Sequence, residues 1–320
     1  MSGSFRARRF AIAGLALAAA CFGASSAAPL AVAPPAVSSF DGGTLHVDVY
    51  GHGPQNVVFI PGLASGPWSW FGTIDALLAG GGSDRYTIYS LTLPGFDGHA
   101  PSAKRPLFDA VASDFWALLA AKNVTKPVVV GHSLGGTLAI ALAEQHPERL
   151  AGIVAVDGLP VFPALAGATP AQRQAVAQQL DATFATLDEA GLLSAERKYM
   201  AAVATNQPSL VDVMAADAAR SDAKSIGEWA SEDALTDLRP ALNRIDIPFV
   251  EIMPYDPSDA VPPTNYTQAQ TQAFYESLLA GAPTARVVAI APARHFVMLD
   301  RPEAFDAALI QFLTSVTAHS

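Results

Sequence analysis

"PVVVGHSLGGTLAI", Pro127–Ile140, runs four apolar residues into Gly-His-Ser-Leu-Gly-Gly and then resumes an apolar pattern at helical spacing. A plain strand-to-helix connection needs one glycine, or an Asn or Asp. Here Ser133 is held between Gly131 and Gly135, with Gly136 beyond. A turn this tight forces the serine backbone into a strained conformation. Residues two before and two after must lack side chains, or they clash across the bend. The gain is position. The Ser133 hydroxyl is expected above the carboxyl edge of a sheet, at the start of a helix whose N–H groups and dipole favour a developing anion. An ordinary capping serine would not need glycine on both sides.

Before this stretch, "TLHVDVYG" (Thr44–Gly51) alternates and reads as an antiparallel strand. "NVVFIPG" (Asn56–Gly62) is a continuous apolar run, as in a buried parallel strand. A helix over "WSWFGTIDALLAG", a strand at Tyr86–Gly95 and an amphipathic helix at Leu107–Asn123 lead into the opening motif, and Leu150–Gly158 is the next strand. Strands and helices alternate about every 30 to 40 residues, the signature of βαβ units. The alternation lapses over residues 159–240, which are rich in Ala, Gln, Asp and Glu at helical spacing. It returns with "IPFVEIMPYD" (Ile247–Asp256), a helix over "NYTQAQTQAFYESLLAG", "ARVVAIA" (Ala285–Ala291) and a last helix from Arg301. The expected fold is α/β: a mostly parallel, doubly wound sheet over 40–158 and 241–320, with a helical cap inserted at 159–240.

The 320 residues are 51% hydrophobic and 15% charged, enough for one large core with an inserted subdomain. A net charge of −10 argues against a nucleic-acid partner. Residues 1–27 stand apart: Arg6, Arg8 and Arg9 with no acid, then an apolar run, then Ser-Ser-Ala-Ala. This is the three-part pattern of a secretory signal peptide, with cleavage after Ala27, and it implies an exported protein, periplasmic or secreted, without a stable membrane span. Cys21, the single cysteine, sits in a faint lipoprotein box, "LAAAC", the minority reading. Cleavage after Ala27 leaves no cysteine, hence neither a thiol nucleophile nor a disulfide framework. Residues 28–39 read as a Pro/Ala-rich linker.

From about Phe40 to the last helix the chain resembles the α/β-hydrolase fold family. "GHSLGG" is similar to its nucleophile elbow, "FIPGLASG" to its oxyanion loop and "LTLPGFDGHA" to the loop after the next strand. "PARHFVMLDRPEAF" is similar to the late loop that supplies histidine, and the insertion sits where the family carries its cap. The resemblance implies Ser133 as nucleophile, His295 as general base, and the amides of Leu63 and Leu134 as oxyanion donors.

An alcohol needs a base within hydrogen-bond reach. Of the seven histidines, His46 and His52 read as surface residues, His99 as solvated, and His146 as a helix-end cation; His132 is inside the elbow and expected to point away from the substrate side. The acid is open among three. Asp256 ends the strand after the insertion, the usual supplier, and is placed first. Asp157 ends the strand "GIVAVDG" and is the alternative, a position some family branches use. Asp259, four residues before Pro263, is third. Trp68 and Trp70 are core or pocket wall; Phe162, Phe184, Met200, Met214 and Trp229 are lid or cap core.

No His-x-x-x-His or Glu-x-x-His pair suggests a metal, and "GHGPQN" and "GGGSD" lack the lysine of a phosphate loop, so no cofactor is expected. The expectation is a serine hydrolase acting on a small hydrophobic carboxylic ester or lactone. The alternatives are a non-catalytic, receptor-like ligand-binding member of the fold, or a C–C hydrolase or cofactorless peroxidase on the same scaffold.

Overall fold

The computed structural model describes residues 30–258 and 266–317. The segment read as a signal peptide, Cys21 included, and Asp259 lie outside the described residues.

Eight strands form one sheet: β1 (Ser38–Gly42), β2 (Leu45–Gly51), β3 (Gln55–Ile60), β4 (Tyr86–Thr92), β5 (Val128–His132), β6 (Gly152–Val156), β7 (Phe249–Pro254) and β8 (Ala285–Ile290). Their order is β1-β2-β4-β3-β5-β6-β7-β8. β1 pairs antiparallel with β2, and β2 antiparallel with β4; every later pairing is parallel. β5 and β6 are buried along their whole length, which is why they read as unbroken apolar runs. β1 was not anticipated. It begins at Ser38, inside the stretch read as linker, and its short, polar, largely exposed sequence carries no strand periodicity.

The helices are α1 (Phe71–Leu78), α2 (Leu107–Ala121), α3 (Leu134–Gln145), α4 (Pro170–Ala185), α5 (Glu189–Tyr199), α6 (Val211–Ala218), α7 (Ala223–Leu235), α8 (Gln268–Leu279), α9 (Val297–Asp300) and α10 (Pro302–Thr317). Four of them, α4 to α7, fill the interval between β6 and β7. That interval is closed at its neck. Val161 bridges Asp237, and the Leu238 N–H donates to the Pro160 carbonyl at 2.7 Å. Buried Arg173 of α4 donates to Asp237 at 3.1 Å and to the Thr236 carbonyl at 3.2 Å. Met214 and Trp229 are fully buried, and the Trp229 indole N–H donates to the Pro94 carbonyl at 3.1 Å, so both pack the insertion onto the sheet. Phe162 is among the exposed large hydrophobics. Trp70 is core, with its ring tilted against Phe59 and Phe305 and edge-on to His132. No helix among the described residues is long and apolar enough to cross a membrane.

Candidate active site

The bend after β5 has the strain its sequence implies. Ser133 has φ 51° and ψ −118°, a conformation that non-glycine residues rarely adopt. Its N–H donates to the Val156 carbonyl at 2.9 Å, and its carbonyl accepts from the N–H groups of Gly136 and Thr137. A Cβ on Gly131 would lie 2.0 Å from the Gly135 carbonyl oxygen, and one on Gly135 would lie 2.3 Å from that of Ile60. The two glycines are therefore required by close approach of backbone to backbone, one inside the bend and one against the loop after β3.

That second contact brings the proposed oxyanion loop onto the serine. A Cβ on Gly62 would sit 3.2 Å from Ser133 Cβ and 2.8 Å from His132 Nδ1. Leu63 follows Gly62, and Leu134 opens α3. Neither of their N–H groups has a hydrogen-bond partner among the described residues. β3 and β5 are neighbours whose connections leave in opposite directions, so this crevice lies at the carboxyl ends of strands where the order reverses.

His295 lies on the loop after β8, and its ring centroid is 4.5 Å from that of His132. His132 is fully buried, and its Nε2 donates to the His295 carbonyl at 3.0 Å. Burial, reinforced by the neighbouring His295, holds the His132 imidazole well below its ordinary value, so it is neutral. His132 thus fixes the backbone of the histidine beside it. No hydrogen bond joins Ser133 Oγ to the His295 ring among the described residues; such contacts commonly tighten only around a reacting group.

Of the two described acid candidates, Asp157 and Asp256, the His295 ring meets Asp157. His295 Nδ1 bonds Asp157 Oδ2 at 2.5 Å, not Asp256. The Asp256 carboxylate is turned to other partners: the Asn206 side-chain amide at 2.9 Å, and the Ser258 N–H and hydroxyl at 2.8 and 2.6 Å. Burial would raise the Asp256 carboxyl, but these hydrogen bonds outweigh it and hold the group below its ordinary value. Asp157 ends β6, beside the strand that ends in Ser133, and takes φ 48°. The Tyr275 hydroxyl donates to its other oxygen.

The insertion reaches the same loop. Met200–Ala204 forms a π-helical turn that continues α5. The Phe296 N–H donates to the Ala204 carbonyl at 2.8 Å, and the His295 N–H to that of Val203 at 3.4 Å. Asp300 accepts from the Arg294 N–H at 2.8 Å, the Thr205 hydroxyl at 2.5 Å and the Asn206 N–H at 3.2 Å. Tyr199 places its ring 6.3 Å from that of His295, edge to face. Trp68 stacks on Phe296 at 5.8 Å.

The other histidines among the described residues are elsewhere. His46 meets Asp41 and stacks on His99, His52 meets Asp84, and His146 meets Glu148. Sequence reasoning missed Tyr275, Asp300, Tyr199 and Glu251. Glu251 alone left a trace, a carboxylate inside the apolar run of β7; Asp300 falls within "PARHFVMLD" but looked like a helix start.

Comparison with known proteins fits this architecture. The alpha/beta hydrolase family model matches residues 57–308. A pimeloyl-[acyl-carrier protein] methyl ester esterase of Aeromonas hydrophila is 24% identical over 282 residues, covering 82% of this chain and 96% of that protein. A probable esterase of Oryza sativa subsp. indica is 37% identical over 110 residues; the match spans 32% of this chain and only 38% of the rice protein. Among solved structures, the enol-lactonase of Burkholderia xenovorans superposes with a TM-score of 0.65 at 20% identity, covering 84% of this chain and 96% of that one. A bromoperoxidase of Bacillus anthracis superposes at 0.68 and 20% identity, covering 84% and 95%. With the sheet order, the serine bend and a family match over most of the chain in agreement, this protein belongs to the alpha/beta hydrolase family.

Proposed function

We propose that this protein hydrolyses a carboxylic ester with Ser133 as nucleophile, His295 as general base and Asp157 as the acid. The observation that carries it is the 2.5 Å bond between Asp157 and the ring of His295, on the sheet edge where Ser133 is strained outward. Ser133 Oγ attacks the ester carbonyl as its proton passes to His295 Nε2. The Asp157 carboxylate fixes the tautomer with Nδ1 protonated and stabilises the imidazolium. The Leu63 and Leu134 N–H groups receive the developing oxyanion; losing one such donor costs about 3 kcal/mol. Collapse expels the alcohol, which takes the proton from His295 and leaves an acyl-serine. Water, deprotonated by His295, then releases the acid and restores the serine.

An ester is favoured because relatives named as esterases match the chain in sequence. The apolar residues of the insertion favour a hydrophobic acyl or aryl group. The segment 1–27 supports action outside the cytoplasm. The test is turnover of a short-chain p-nitrophenyl ester by wild type and Ser133→Ala. Turnover in wild type alone supports the hydrolase. Tight ligand binding by both without turnover indicates a receptor-like member of the fold.

A further inference from the structure

Asp157 is held between the His295 ring and the Tyr275 hydroxyl. Among the described residues its one ion-pair partner is His295. Beneath it lies Glu251 of β7, fully buried, with one oxygen accepting from the Gly158 N–H at 3.3 Å and the other without a partner among the described residues. Burial, and then repulsion from Asp157, pushes the Glu251 carboxyl well above its usual range, so it stays neutral. Around the His295 ring lie His132 from β5, which is neutral, at 4.5 Å and Tyr199 from the insertion at 6.3 Å. The Asp157 carboxyl is held by two hydrogen bonds, one at each oxygen.

The terminal torsion of an aspartate is broad and two-fold, so a carboxylate gripped at one oxygen can swing. Tyr275 comes from α8, 118 positions away in sequence and nearly buried, and it holds the oxygen that His295 does not. Resting on the triad reading above, we propose that Tyr275 is a positioning residue of this site. Its O–H and the His295 ring N–H grip the two oxygens of one carboxylate, so α8 fixes the Asp157 rotamer and, through it, the plane and tautomer of the His295 ring.

Tyr275→Phe removes one oxygen and keeps the ring. It is expected to lower kcat about ten- to a hundredfold, the loss of one hydrogen bond to a charged group, with KM within about twofold. In an Asp157→Asn background the same change should alter kcat less than about twofold, because the carboxylate it orients is gone. A second readout needs no substrate. The low-field proton resonance of His295 Nδ1 should be present in wild type, absent in Asp157→Asn, and shifted or broadened in Tyr275→Phe. If Tyr275→Phe leaves that resonance and kcat unchanged while Asp157→Asn abolishes both, the role of Tyr275 is wrong and the triad stands. Equal losses in the two backgrounds would mark Tyr275 as structural only and also overturn it. If Asp157→Asn keeps wild-type kcat and resonance, the triad reading fails and takes the role of Tyr275 with it.

Discussion

At the scale of single residues, two carboxylates at neighbouring strand ends differ in what they touch. Both are aspartates at a strand's carboxyl end, and nothing in residue type separates them. The difference is what each touches: Asp157 takes the His295 ring, whereas Asp256 is saturated by Ser258 and Asn206. Asp157→Asn should therefore lower kcat by about a thousandfold or more, because the imidazole then holds the wrong tautomer. Asp256→Asn should keep kcat within a few-fold and show its cost in thermal stability. A steady-state assay of the two purified variants decides between them, and collapse in Asp256→Asn alone would return the acid to the end of β7. The bend is equally specific. Gly131→Ala puts a methyl group where the Gly135 carbonyl lies, so soluble, folded protein should be lost, as gel filtration and circular dichroism would show.

Among the elements, the π-helical turn at Met200–Ala204 is the surprise. It hydrogen-bonds the backbone of His295 and Phe296, and Asp300 ties the residues after it to the loop before the histidine. At this end the insertion supports the backbone of the His295 loop. Asp300→Ala leaves the N–H groups of Arg294 and Asn206 without their acceptor. A loss of about 2 kcal/mol or more follows from unsatisfied buried donors. Hydrogen exchange should rise at Arg294–Phe296 and at Thr205–Asn206 together; faster exchange at one segment alone would mean the two are not coupled. None of this was legible in the sequence. Strands β2 to β8, α3 and the serine bend were, because periodicity and glycine spacing are local properties. The place of His295 on the loop after β8 was too, because that loop has a motif. The Asp157–His295 contact, Tyr275 and the turn over His295 depend on contacts made across roughly a hundred positions, and no local pattern encodes them.

For the whole molecule, several carboxyls are buried without a full set of partners, and they set its response to pH. Glu196 of α5, between buried Leu192 and Met200, is pushed up to about 7 by burial. Glu144 of α3 is also raised to about 7 by burial, against the pull of Arg244, and burial likewise pushes Glu251 well above its ordinary range. Each takes up its proton in the folded state at a pH where the unfolded chain, near 4.5, is still ionised. Their contribution to stability is present in full below that value and is lost as pH rises toward about 7. Carboxylates held low, such as Asp114 and Asp237, act only below 3.8, outside this window. The melting temperature should thus be higher at about pH 5.5 than at about pH 7.5, by about 3 °C or more. Glu196→Gln should flatten that slope; a melting temperature that rises from pH 5.5 to 7.5 in wild type would contradict the reading.

The most direct measurement is covalent. A fluorophosphonate that phosphonylates activated serines, followed by peptide mass spectrometry, asks whether one hydroxyl in this chain is a nucleophile. The expected result is a single adduct on Ser133 in wild type and in Asp256→Asn, strongly slowed in Asp157→Asn and His295→Ala, and absent in Ser133→Ala. Labelling that spares Ser133 in the folded wild-type protein, or that is undiminished when Asp157 and His295 are replaced, would contradict it.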